Sequence, residues 1–177
     1  MFDYLKDIYR RRSLRRYSST IPTGIVPLGD VRTVAAFIDV EDPSFDDCKL
    51  QLQAFFREHD FKGEIFFIDF RKLIDGEQLI TSITNTILKK DLNWFDQPSA
   101  ETISRLQGIQ ADICISLLRD TSFPVEFMVK CIPARFKIGR IQLPGNPFDL
   151  VVTDPDGRPL SQQESFRSIR EYLAKII

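Results

Sequence analysis

The segment ADICISLLRDTSFPVEFMVKCIPARFKIGR, residues 111–140, reads as a strand, a short loop, an amphipathic helix and a second strand. Ile113, Ile115 and Leu117 alternate with Cys114 and Ser116, then Phe123, Phe127 and Cys131 recur at helical spacing, and Phe136 and Ile138 alternate again. An apolar period of two, then a helical period, then two again marks a βαβ unit. Such a crossover joins parallel strands, so this one segment points to an α/β fold.

The pattern continues outward. VAAFIDV, 34–40, is a strong strand, and EIFFIDF, 64–70, is apolar enough for a strand covered on both faces. Between them, Ser44 and Asp47 make a capping-box-like start, and Phe45, Cys48, Leu52 and Phe55 set one apolar stripe on a helix over 45–58. Downstream, the expectations are a short strand around 86–89, a helix over 100–107 capped by Ser99, and a last strand over 148–153. A capping box of Ser161 and Glu164 then opens a C-terminal helix whose buried stripe is Phe166, Ile169, Leu173 and Ile176. The rest of 75–97 shows no clear period. Residues 1–17 read as a basic helix, and SSTIPTGIVPLGD, 18–30, with two prolines and two glycines, as an extended linker. The plan is therefore a basic N-terminal helix and linker over 1–30 ahead of a single Rossmann-like α/β domain over 31–177. Its sheet is mainly parallel, with helices on both faces.

Composition agrees. A chain of 177 residues, 43% hydrophobic and 28% charged, has room for a real core, and 15 phenylalanines against one tryptophan fill it with rings. Net charge is −1, so nothing global draws the chain to nucleic acid or to an acidic membrane. The charge is uneven, however: residues 1–20 carry +4 and the remainder −5. No apolar run reaches the length of about 18 residues that a membrane span needs, and the N-terminus has no secretory apolar region. Cys48, Cys114 and Cys131 sit within apolar patterns and are expected buried and reduced, which suits the cytoplasm.

Folds of this class bind ligands beyond the carboxyl ends of their strands. Here those ends carry Asp39, Asp69, Arg119 with Asp120, Arg140 and Asp154. Asp39, Asp69, Arg119 and Arg140 are the candidate ligand-binding residues, the arginines as a clamp for phosphate or carboxylate. Three carboxylates (Asp39, Asp69 and Asp154) would suit Mg²⁺, but aspartate is also an ordinary turn residue, and no metal is expected. The turn after Val40, EDPSFDD, has no glycine to admit a phosphate and two acidic pairs to repel one, so no nucleotide cofactor is expected. His59, the only histidine, ends a helix and reads as a solvated cap rather than a base. Candidate interaction residues are Arg10, Arg11 and Arg12 on the basic helix, and Trp94 and Phe95 in the KKDLNWFDQP loop. Their alternative roles are a helix packed on its own domain and a loop folded onto the sheet edge.

Two resemblances follow from these residues. KKDLNWF, ADICISL with SFPVEFMVKCIPARFKIGR, and the short C-terminal helix resemble a family of uncharacterised proteins common in Bacteroidetes genomes, over nearly the whole chain. That family has no established activity to carry over. Over about 30 residues, ADICISL…VKCIPARFKIGR is also similar to the strand–helix–strand in the N-terminal domain of ADP-heptose:lipopolysaccharide heptosyltransferases. Ala134, Arg135, Lys137, Ile138 and Gly139 match its ending. Those enzymes have a glycine–aspartate loop after the first strand and a second domain for the donor. This chain has EDPSFDD and 177 residues, so the resemblance implies a related half-domain fold and not sugar transfer.

The expected function is a binding or interaction protein without catalysis of its own, engaging an unidentified protein or a second copy of itself. The alternative is a small transferase- or hydrolase-like enzyme with a strand-end site for a phosphorylated or sugar ligand. Contact of residues 1–17 with an anionic membrane surface is a third reading.

Overall fold

In the computed structural model, which describes residues 1–72 and 84–176, a six-stranded sheet with every strand parallel is sandwiched between helices. The strands are β1 (Thr33–Asp39), β2 (Lys62–Asp69), β3 (Thr86–Leu88), β4 (Ala111–Ser116), β5 (Ala134–Gly139) and β6 (Leu150–Val151). The helices are α1 (Phe2–Tyr17), α2 (Phe45–Glu58), α3 (Ala100–Gly108), α4 (Phe123–Cys131) and α5 (Gln162–Lys175). Strand order is β3-β2-β1-β4-β5-β6. The chain winds outward from β1 to β3, returns to β4 beside β1, and winds out the other way. That is the doubly wound order of the Rossmann fold, with its switch point between β1 and β4.

Alternation along each strand feeds two separate cores. Val34, Ala36 and Ile38 of β1 face Cys48, Leu52 and Phe55 of α2, and Phe166, Ile169 and Leu173 of α5. Ala35 and Phe37 face Ile103 and Leu106 of α3, and Phe127 and Met128 of α4. Each fully buried phenylalanine contributes about 1.5–3 kcal/mol by leaving water. Two rings pack closely against sheet glycines: a Cβ on Gly139 would come within 2.4 Å of Phe148, and one on Gly63 within 2.0 Å of Phe56.

Two local expectations need correction. Ser44 stands at the start of α2, but it makes no capping bond with its side chain. Its hydroxyl instead donates to Asp42 at 2.6 Å and accepts from the Gln163 N–H at 3.1 Å. The last strand is two residues rather than six, because β5 pairs with it only through Ile138 and Gly139 before Arg140 turns inward. By contrast Ser99 caps α3 and Ser161 with Glu164 boxes α5, both as the sequence predicts. The part of the unreadable 75–97 stretch up to residue 83 lies outside the described residues.

Gln162, the fully buried first residue of α5, ties the carboxyl end of β1. Its Oε1 accepts the Asp39 N–H at 2.6 Å, and its Nε2 donates to the Asp39 carbonyl at 3.1 Å. Replacing Gln162 by leucine keeps the volume and orphans both backbone groups. Gln162→Leu is expected to lower stability by about 2–4 kcal/mol, read as a fall in urea midpoint at unchanged slope.

Candidate functional site

The turn from β1 into α2 fills the place where doubly wound proteins seat a phosphate. Asp42 Oδ1 accepts the Ser44 N–H at 2.8 Å and its hydroxyl, while Oδ2 accepts the Gln162 N–H at 3.2 Å. The N-termini of α2 and α5 thus meet over one carboxylate, which takes up N–H groups that an anionic ligand would need. Asp39 lies beside it, its Oδ1 accepting the Glu41 N–H at 2.8 Å. Burial raises the Asp39 pKa above the ordinary carboxylate value against that hydrogen bond, and the charges of Asp42, Asp69 and Asp120 push the same way.

The two candidate arginines come together around Asp154. Arg119 Nη2 donates to Asp154 Oδ2, and to the Leu160 carbonyl at 2.7 Å. Arg140, 2% exposed, donates from Nη2 to the same carbonyl at 2.6 Å and lies 3.7 Å from Asp154 Oδ1. Its Nη1 donates to the Leu117 carbonyl at 3.3 Å, and its Nε has no hydrogen-bond partner among the described residues. Asp154 also accepts the Leu160 N–H at 3.0 Å. Burial first, then the nearby Arg119 charge, lowers the Arg140 pKa.

Asp69 is held apart from this group. Its fully buried carboxylate takes a two-pronged contact from Arg71, at 2.8 Å from Nε and 2.7 Å from Nη2, and the Arg71 hydrogen bond holds its pKa below the usual range. The arginines share Asp154, Asp69 is paired with Arg71, and Asp39 faces other carboxylates. Among the described residues no group of three or more His, Cys, Asp or Glu side chains is placed to hold a metal ion.

The interaction candidates meet one another. A tight turn built on Asn93, whose Oδ1 accepts the N–H groups of Phe95 and Gln97, presents Phe95 and Asp96 to α1. Arg10 Nε donates to the Phe95 carbonyl at 3.1 Å, Arg10 also pairs with Asp96, and Lys6 Nζ reaches Asp96 at 2.8 Å. Ser13 bonds to Gln97, and the Tyr17 ring meets Phe127 of α4 edge-on. Lys6, Arg10, Ser13 and Tyr17 are thus the docked stripe of α1. Beside it, at the same alternating three- and four-residue spacing, run Phe2, Leu5, Tyr9, Arg12 and Arg16. Tyr9 stacks on Phe95 at 5.6 Å and Trp94 packs on Tyr9 at 5.1 Å and on Phe2 at 6.5 Å. Yet Phe2, Leu5, Tyr9 and Trp94 stay 78, 44, 43 and 52% exposed. Arg11, Arg12, Arg15 and Arg16 are exposed too.

The nucleophiles are poorly placed for chemistry. Cys48, Cys114 and Cys131 are buried free thiols, and burial pushes their pKa up to about 12, 12 and 11. His59 stacks on Phe61 at the exposed end of α2. No helix among the described residues is long and apolar enough to cross a membrane.

Sequence motifs alone do not reveal Gln162, Asp42 or Arg71 as partners, although an Asp-Pro-Ser turn is a known setting for a carboxylate that bonds its own backbone. Compared with known proteins, residues 5–176 match a family model described as a family of unknown function (DUF6913). No curated protein and no solved structure matches the chain.

The raised pKa of Asp39 has a testable sign. A carboxyl that holds its proton more tightly folded than unfolded penalises the fold once ionised. The penalty is absent below the unfolded pKa and complete above the folded one. Asp39→Asn, which keeps the acceptor for Glu41, is expected to raise Tm at pH 7. The gain closes as pH falls through the carboxylate range, as thermal unfolding of both proteins from about pH 3 to 8 would show.

Proposed function

The chain belongs to this family of unknown function, and from its geometry we propose that it is a non-catalytic interaction protein of the bacterial cytoplasm. Its binding face is the exposed stripe of α1 with Trp94. The observation that supports this most is that Phe2, Leu5, Tyr9 and Trp94 form one exposed apolar cluster continued by Arg12 and Arg16. Aromatic rings and arginines are the side chains that dominate protein interfaces. The spacing suits a partner helix laid along α1, with apolar anchors at one end and carboxylates at the other. Arg10, spent on Phe95 and Asp96, positions the face and is not part of it.

The half-domain likeness to heptosyltransferases enters this reading as kinship of fold in β4–α4–β5 only. An enzyme with a strand-end site for a phosphorylated or sugar ligand has less support, since Arg119 and Arg140 are engaged by Asp154 and Asp69 by Arg71.

Trp94 is the chain's single tryptophan, so its emission reports on this face directly. Affinity purification from the source cells with wild-type bait is expected to recover a protein carrying an acidic amphipathic helix. The purified pair should shift Trp94 emission to the blue and weaken with salt. Trp94→Ala or Tyr9→Ala is expected to weaken binding by about 2 kcal/mol, or roughly thirtyfold in Kd. Recovery of the same proteins by a Tyr9→Ala/Arg12→Glu/Arg16→Glu bait would sink the proposal, as would turnover of a nucleotide sugar or sugar phosphate by the wild type.

A further inference from the structure

Away from both the rim and the α1 face, a groove of about 530 Å³ runs between the end of α1, the strap 18–23, the end of α4 and the turn before β6. Such a volume suits a small ligand. Three cations from three different elements line it, namely Arg15 of α1, Lys130 of α4 and Lys137 of β5. The hydroxyls of Ser18, Ser19 and Thr20 add polar groups along the strap, and none of its lining residues is acidic.

Lys137 is the unusual member. It lies within the sheet and is only 5% exposed. Its Nζ donates to the Val129 carbonyl at 2.6 Å, which leaves two of its three N–H groups without a protein acceptor among the described residues. The groups facing it do not neutralise it. Cys114 and Cys131 are thiols kept protonated by burial, Lys130 is a like charge already paired with Glu126, and Asp149 directs its oxygens to the Lys137 N–H and the Thr23 hydroxyl. Burial accordingly pulls the Lys137 pKa down. A buried ammonium with one neutral acceptor is electrostatically incomplete, and an anion in the groove completes it. Arg15, exposed and in no ion pair among the described residues, supplies a second charge from α1.

We propose that this groove binds a small phosphomonoester. Cations and hydroxyls arriving from several walls suit a tetrahedral dianion with several acceptor oxygens better than a planar carboxylate, which a single arginine fork would serve. Ser19 N–H donates to the Lys130 carbonyl at 2.8 Å, so one wall of the site is fixed before the ligand arrives.

The test uses the whole protein and the probes inorganic phosphate and glycerol phosphate, with acetate and glycerol as comparisons at constant ionic strength. Both phosphates are expected to raise Tm saturably, and acetate and glycerol to leave it unchanged. Lys137→Met, which keeps the side-chain volume, should abolish the shift, and the exposed Arg15→Ser should weaken apparent affinity at least tenfold. Should Lys137→Met fold poorly, the Lys137 ¹³Cε resonance of the wild type decides. Its titration midpoint should move up when phosphate is added, because the anion favours the ammonium. A flat response to both phosphates, an equal response to acetate, a shift that survives in a folded Lys137→Met variant, or an unmoved Lys137 titration overturns the proposal. None of these results bears on the α1 face.

Discussion

Strand β1 is bonded to a strand on each side and covered by helices above and below, with five of its seven residues buried. A strand in that position leaves no backbone group for water, so each N–H and C=O must find a partner inside the protein. Along its length β2 and β4 provide them. At its carboxyl end the chain has turned towards α2, and the Gln162 side chain takes the Asp39 N–H and carbonyl. That need places the start of α5 against the start of α2, and Asp42 then neutralises the two adjoining helix ends. At the mouth of the crevice where related folds bind ligands, the chain's own amide and carboxylate take up these backbone groups.

Charge follows the same division. Cations at the carboxyl rim are absorbed by Asp154 and Asp69, close to where burial would make a lone charge expensive. On α1 the docked stripe uses Lys6 and Arg10 against Asp96, and the remaining arginines project into solvent. The positive excess of the first twenty residues is therefore only partly neutralised by the acidic body behind it.

Much of the fold was legible because burial imposes a period. The alternation in β4 and β5, the apolar run of β2 and the stripes of α2 and α5 each follow from which side of an element meets a core. The capping box at Ser161 was legible for a second reason, since its bonds are local. Pairings distant in sequence were not. Gln162 with Asp39, Arg140 with Asp154 and Lys6 with Asp96 join residues whose spacing carries no period, and a polar residue at a strand end or helix start is ordinary. Ser44 shows the limit of local rules: it stands where a cap belongs, yet tertiary contacts with Asp42 and Gln163 claim its hydroxyl. The basic helix and the Trp94 loop read as two separate surfaces, and only the fold reveals that each is the other's neighbour.

The sheet's outer strands have a consequence for recognition. Among the described residues β3 is three residues long and β6 two, so each outer strand itself offers only a few free backbone groups. An extended peptide pairing with β3 or β6 would gain few main-chain hydrogen bonds from that strand. Short outer strands thus help guard a strongly apolar sheet against templating aggregation.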